Sequence, residues 1–382
     1  MRTWPNLLCA LFLAACATTP MEQGPTSLFR DRLFTVPSER IRAAEVFEVS
    51  SEMRQYLRSI ADQLDSKGRQ KGLYDALYTK NQLKLEYDAA MTRNASEAFA
   101  GRTGNCLSLV IMTAALAKEL GLAVYYQRVI SDETWSRTGD TWFSSGHVNV
   151  TLGKKPTDPR ILFNERTPLT IDFMPLAPNQ GQYAWPILEE TVVAMFMNNR
   201  SAESLMRGNV NDAYWWAREA IAQDARFLAA YNTLGVIYRR HGNLAEAEQV
   251  FQYVLEREAA NTFAMSNLVI VYDEQGRDAE SKALAKKLAL IQPFPPFHYF
   301  DKGLAAMRAG DYKMARDLFA KEVARDSYYH EFHFWLAAAY VGLGEFQQAQ
   351  RHLTIAMENS TTRSEHDLYA AKRDRIAASR AR

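Results

Sequence analysis

The sequence predicts an α+β domain followed by an all-α repeat solenoid, and three observations carry that prediction. A stretch at 107–120 is apolar on nearly every face and opens directly after Gly104-Asn105-Cys106. Two alternating runs follow it, at 146–152 and 169–173, with the period of half-buried strands. Beyond them Gly208, Gly242, Gly276, Gly310 and Gly344 recur every 34 residues, the spacing of a stacked helix-turn-helix unit.

The chain starts with Arg2 and an apolar run at 7–15, too short to span a bilayer as a mature helix, so residues 1–15 are expected to be a processed leader. Leu13-Ala14-Ala15-Cys16 resembles the bacterial lipobox, which implies that Cys16 becomes a lipidated N-terminus. Residues 16–36 are then a lipidated tether, polar and broken by Pro20, Gly24 and Pro25 at its start. The resemblance implies a membrane partner through the lipid anchor and a place in the bacterial envelope. Ala17 carries no acidic inner-membrane signal, which favours the outer membrane facing the periplasm.

At 382 residues the chain has room for two or three domains. Its 45 basic and 44 acidic residues become equal once Arg2 leaves. A neutral balance argues against nucleic acid, whose binding needs clustered Lys and Arg. Cys9 leaves with the leader and lipid consumes Cys16, so Cys106 is the remaining thiol and no internal disulfide is expected. With no close Cys/His pair, neither a metal nor another cofactor is expected.

The first domain is expected at 37–190. Met53, Leu57, Ile60 and Leu64, then Leu83, Leu85 and Tyr87 before 89–99, give a helical lead-in, with Ser38 and Ser51 as candidate helix starts. Asn105 suits an N-cap, which places Cys106 in the first turn, where amide donors and the helix dipole favour an anion. The thiolate is the nucleophilic form of cysteine, so the position suits chemistry, although a packed cysteine is equally common there. Residues 122–129 read as a strand, 131–145 as a polar loop, and 146–150 as a second strand with His147, Asn149 and Thr151 on one face. In the third run Asp172 is expected mid-strand among apolar neighbours, where a carboxylate needs a partner such as an adjacent imidazole.

These pieces, Gly104-Asn105-Cys106-Leu107-Ser108, Gly146-His147-Val148-Asn149-Val150 and Ile171-Asp172-Phe173-Met174-Pro175, resemble the transglutaminase-like superfamily, related in core plan to papain-like enzymes. The resemblance covers roughly residues 85–176 and rests on the order of its three parts. It implies Cys106 as nucleophile, His147 as the base that takes and returns a proton, and Asp172 as the group that orients the imidazole. Asn105 and Asn149 are candidates for oxyanion or support roles.

The solenoid is expected at 191–360, with a capping helix and tail at 361–382. Around Gly242 stand Tyr231, Leu234, Gly235 and Tyr238, then Ala247 and Phe251; around Gly344 stand Leu336, Ala337 and Tyr340, then Ala349 and Leu353. This pattern resembles the tetratricopeptide repeat, present five times. The first unit departs from it at Arg200 and Ser201, and Pro293, Pro295 and Pro296 interrupt the third junction. Asn232, Val236, Arg239, Phe297, Phe300, Leu304, Met307 and Phe334 are expected to face a concave groove that takes a protein or peptide partner.

Two functions fit these expectations. One is an envelope-anchored cysteine amidohydrolase or acyltransferase acting on protein or peptide amides through a thioester. The other is a catalytically inactive scaffold lipoprotein whose repeats assemble protein partners.

Overall fold

The computed structural model describes residues 25–78, 86–87, 91–138, 141–153, 168–173, 183–360 and 362–380, with backbone alone at 86–87, 130–138, 141–146, 183 and 379–380. The leader, Cys16, Leu83, Leu85, Met174 and Pro175 lie outside the described residues.

The lead-in is helical in part: α1 (Ser51–Ser59), α2 (Ala61–Lys67) and α3 (Arg69–Tyr78). Ser50, one residue before the expected start, caps α1 by accepting from the Met53 amide at 3.2 Å. Ser38 opens no helix, because its backbone N–H and its hydroxyl both donate to Asp212, far along the chain. A short parallel pair, β1 (Glu86–Tyr87) and β2 (Thr103–Gly104), flanks α4 (Ala95–Gly101). Asn94 and Glu97 close a reciprocal capping box on α4, satisfying amide donors that the helix start would otherwise leave unpaired.

From Cys106 to Ala117 every residue of α5 (Cys106–Glu119) is buried, as expected of a helix with no polar face. The sheet beside it has the order β5-β4-β3-β6 with every neighbouring pair antiparallel: β3 (Ala123–Thr138), β4 (Thr141–Gly153), β5 (Leu169–Ile171) and β6 (Tyr183–Ile187). The expected polar loop at 131–145 is largely the upper part of a long β3–β4 hairpin, with a register shift between Val129 and Thr134. Thr134, Trp135, Thr138, Thr141, Trp142 and Phe143 supply the β-branched and aromatic character that overrides the polar composition. Val148, Val150 and Leu152 are fully buried, in one cluster with the apolar residues of α5.

Ten further helices form five hairpins: α6 (Glu189–Met206) with α7 (Val210–Gln223), α8 (Leu228–His241) with α9 (Leu244–Arg257), α10 (Thr262–Glu274) with α11 (Asp278–Ile291), α12 (His298–Arg308) with α13 (Tyr312–Arg325), and α14 (His330–Gly342) with α15 (Phe346–Glu358). The periodic glycines stand at the five turns with φ between 73° and 88°. In each, the residue after the glycine donates back across the turn, as Asn243 N–H does to Tyr238 O at 2.9 Å. This is the left-handed helix stop that glycine adopts without a Cβ penalty. Within hairpins, Gly235 and Gly303 make room for Phe251 and Phe319; an added Cβ would stand 2.5 Å from either ring.

One buried cluster runs from Phe34 and Val46 through α5 and the sheet to Leu268 and Val271 in the third hairpin, so the α+β region and the first three hairpins share a core. A separate cluster around Phe297, Phe300, Phe319 and Phe332 serves α12 to α14, a third around Ala349 and Leu353 serves α15, and the break from the first falls at the prolines. A final helix, α16 (Arg363–Arg380), closes the array and buries Tyr369.

The later part of the expected tether at 16–36 is docked, and not free as expected. Phe34 stacks on Tyr214 with centroids 3.9 Å apart, the Tyr214 hydroxyl donates to Asp31 at 2.6 Å, and the Tyr238 hydroxyl donates to the Leu28 carbonyl at 2.8 Å. From residue 25 onward this segment is a strap across the first two hairpins rather than a free linker.

Candidate functional site

Strand geometry brings the three candidate residues together. The β4–β5 register pairs Thr151 with Thr170 and Val150 with Ile171, and one further step sets Asp172 opposite Asn149. A residue opposite Asn149 shares its face and is diagonal to His147, within reach of a ring. His147 Nε2 donates to Asp172 Oδ1 at 2.6 Å. Asp172 is not mid-strand, as expected from alternation: β5 ends at Ile171, and the carboxylate side chain is 26% exposed while the imidazole is 1% exposed. Placing the acid just past the strand end spares it full desolvation, which answers the difficulty of burying a charge.

With Nε2 committed to Asp172, Nδ1 is the nitrogen left for chemistry. It is buried and meets no partner at hydrogen-bonding geometry, while Cys106 is close enough to the ring to add hydrogen-bond and charge stabilisation to the imidazolium. Together these fit a thiol beside the ring but not aligned on Nδ1, an arrangement common in catalytic sites without substrate. Burial disfavours the charged ring, but the hydrogen bonds to Asp172 and Cys106 and their charges outweigh it and raise the His147 pKa to about 9. The imidazole is therefore protonated at neutral pH, the state that pairs with a thiolate. Cys106 is the first residue of α5 and only 9% exposed.

Asn105 caps α5, accepting from the Ser108 backbone N–H and hydroxyl at 2.9 Å each, and its amide donates to Thr92 Oγ1 at 2.8 Å. Its contacts are those of a cap, not of an oxyanion donor. Asn149 stays a candidate: it is 4% exposed, on the His147 face of β4, and its Oδ1 is buried without a partner. Sequence reasoning missed Thr92, Asn199, Arg200 and Glu203, which converge behind the Cys106 turn from two distant stretches; Arg200 was visible only as a departure from the repeat pattern. A concavity of about 820 Å³ between α1 and α4, lined by Tyr56, Phe99 and Arg102 among others, contains none of Cys106, His147 and Asp172.

The groove candidates divide. Asn232, Val236 and Arg239 are half-buried on α8, with Arg239 paired to Glu274 of α10 at 2.8 Å. Phe297 and Phe300 do not face a groove. Each is 1% exposed, packed with Phe332, because the proline break turns this end of α12 into its own core. Leu304 and Met307 pack at the edge of that core, and Phe334 is covered by α16 through a stack on Tyr369.

The tetratricopeptide-repeat family matches residues 228–261, and again 330–353. The C-terminal half is a tetratricopeptide solenoid. No curated protein matches the chain. Among solved structures the chain is similar to PilF of Pseudomonas aeruginosa, at 16% identity over 49% of this chain and 86% of that one, with a TM-score of 0.30. A thermophilic tetratricopeptide protein of Thermus thermophilus matches at 15% identity over 47% and 97%, with a TM-score of 0.30. MamA matches at 14% identity over 42% and 93%, with a TM-score of 0.24. The tetratricopeptide hairpins present the extended surfaces that such arrays use to bind protein partners.

Proposed function

We propose that the chain is an envelope-anchored, transglutaminase-like cysteine amidohydrolase or acyltransferase whose tetratricopeptide array selects a protein partner or substrate. The observation that carries this reading is His147 held by Asp172 at 2.6 Å while Cys106 acts on the same ring. In this mechanism the Cys106 thiolate attacks an amide carbonyl carbon and a C–S bond forms. The His147 imidazolium gives its proton to the departing nitrogen as the C–N bond breaks, leaving a thioester and a neutral imidazole. Water or an amine then attacks the thioester, His147 takes the nucleophile's proton, and the thiolate returns. Asp172 fixes the ring so that Nδ1 is the nitrogen that exchanges the proton.

The reading places the catalytic domain at 37–190 and the repeats at 191–360, with lipid on Cys16 holding the protein at the outer membrane. Its test is a comparison of wild type with Cys106→Ala and His147→Ala on a glutamine-containing peptide pool, measuring ammonia release, peptide cleavage and incorporation of a labelled amine. Loss of any one of these activities in both variants supports the enzyme. Equal background in all three proteins, with partner binding to the repeats intact, supports the scaffold instead.

A further inference from the structure

The turn that presents Cys106 is not held by its own domain alone. Thr92 is 1% exposed and stands between that turn and α6, the first helix of the repeat array. Its hydroxyl oxygen accepts from Asn105 Nδ2 at 2.8 Å and from Asn199 Nδ2 at 3.2 Å. Its backbone N–H donates to Glu203 Oε1 at 2.7 Å, and its carbonyl accepts from Arg200 at 3.5 Å. The next amide, of Arg93, donates to Ser108 Oγ at 2.8 Å, and Ser108 donates to Asn105. The two hydrogen bonds that the Thr92 hydroxyl accepts fill its acceptor capacity, one leading to the cap of the Cys106 helix and the other to α6.

Glu203 is 8% exposed, and Arg200, whose side chain is 12% exposed, reaches back to Glu39 at 3.2 Å. Burying a carboxylate and a guanidinium against one loop is unfavourable unless their partners are fixed. A repeat helix that served only to stack needs none of these groups. Its Ser201, by contrast, makes an ordinary packing contact, donating to the Ala213 carbonyl of α7 at 2.7 Å.

We infer that α6 belongs to the Cys106 site: Glu203 and Asn199 act through Thr92 and Asn105 as positioning residues that set the reactivity of the thiol, joining the repeat array to the reaction centre. The inference rests on the proposed nucleophilic role of Cys106. It has a mechanical basis, since a rigid cap fixes where the first turn and its sulfur point relative to His147, and small misplacements at a reacting atom lower rates steeply.

The test is the pH profile of Cys106 alkylation by iodoacetamide in the full chain, for wild type, Thr92→Val, Thr92→Ser, Asn199→Ala, Glu203→Gln and Ser201→Ala. Thr92→Val and Glu203→Gln are expected to slow labelling at pH 6 by roughly tenfold or more, and less at about pH 9. Asn199→Ala, the mildest of the three, is expected to do so partially, and it serves if the others fail to fold. Thr92→Ser, which keeps the hydroxyl, should restore the wild-type profile, and Ser201→Ala should leave it unchanged. An activated wild-type profile that Thr92→Val and Asn199→Ala leave in place overturns the positioning role alone. Equal slowing by Ser201→Ala also overturns it, by showing a general effect of loosened packing. A wild-type thiol no more reactive than a free one takes away the nucleophile, and the positioning role with it.

Discussion

His147 and Asp172 meet across a strand diagonal, Nε2 to Oδ1 at 2.6 Å, with the imidazole fully enclosed and the carboxylate at the strand end partly open to water. The contact fixes which ring nitrogen faces chemistry, and it gives stability a pH dependence. The His147 pKa is about 9 in the fold against an ordinary 6.5. A raised folded-state value means the contribution is complete below the unfolded value and is lost as pH rises through the folded one. Wild type should therefore be more stable than His147→Gln near pH 6, by at most on the order of 3 kcal/mol, and the margin should vanish by about pH 10. Paired thermal melts across that range check it; a constant or growing margin contradicts it.

Helices α12 to α14 have their own core, so they should respond separately from the first three hairpins. Phe300→Ala removes a ring packed on Phe319 and Phe332 and is expected to destabilise that part by about 3–5 kcal/mol. Hydrogen exchange should rise in α12 through α14 while α8 through α10 keep their protection. Uniform loss of protection across the array would mean that the two clusters unfold as one.

The strap offers a third test. Phe34→Ala removes the ring stacked on Tyr214 and close to Tyr238 and His241. Limited proteolysis should then cut within residues 25–40 at conditions that leave wild type intact, with the repeats still folded. Resistance equal to wild type would show that the hydrogen bonds of Asp31, Leu28 and Ser38 suffice without the stack.

At the repeat turns, Gly242→Ala forces a Cβ onto a φ of 88° and should cost about 1–2 kcal/mol, although nothing stands within 4 Å of the added atom. Gly235→Ala meets Phe251 at 2.5 Å instead and should cost about 1–3 kcal/mol through overpacking. Urea titrations of both variants distinguish backbone strain from steric strain, since a Gly235→Ala, Phe251→Leu double variant should recover stability and a Gly242→Ala, Phe251→Leu pair should not.

What was legible in the sequence follows from the range of each signal. The 34-residue glycine period reports a backbone need at each turn, so the hairpins and their stops could be read directly, as could the apolar helix that Cys106 opens. The approach of His147 to Asp172 was legible because strand alternation puts one face in common, although the strand was read two residues too long at its end. Burial of Phe297 and Phe300 was not legible, since an apolar residue on a repeat helix looks alike whether it lines a groove or fills a core. Thr92, Asn199 and Glu203 left no local mark at all. Their hydrogen bonds span more than a hundred residues of sequence, and only the oddity of Arg200 and Ser201 in the first repeat hinted that this helix had another task.

Cys106, His147 and Asp172 should titrate as one coupled site, and NMR of the His147 imidazole reads that coupling. In wild type the ring should titrate near pH 9, and both Cys106→Ser and Asp172→Asn should lower that midpoint. A His147 that titrates near 6.5 in all three proteins would show that the three groups are not coupled.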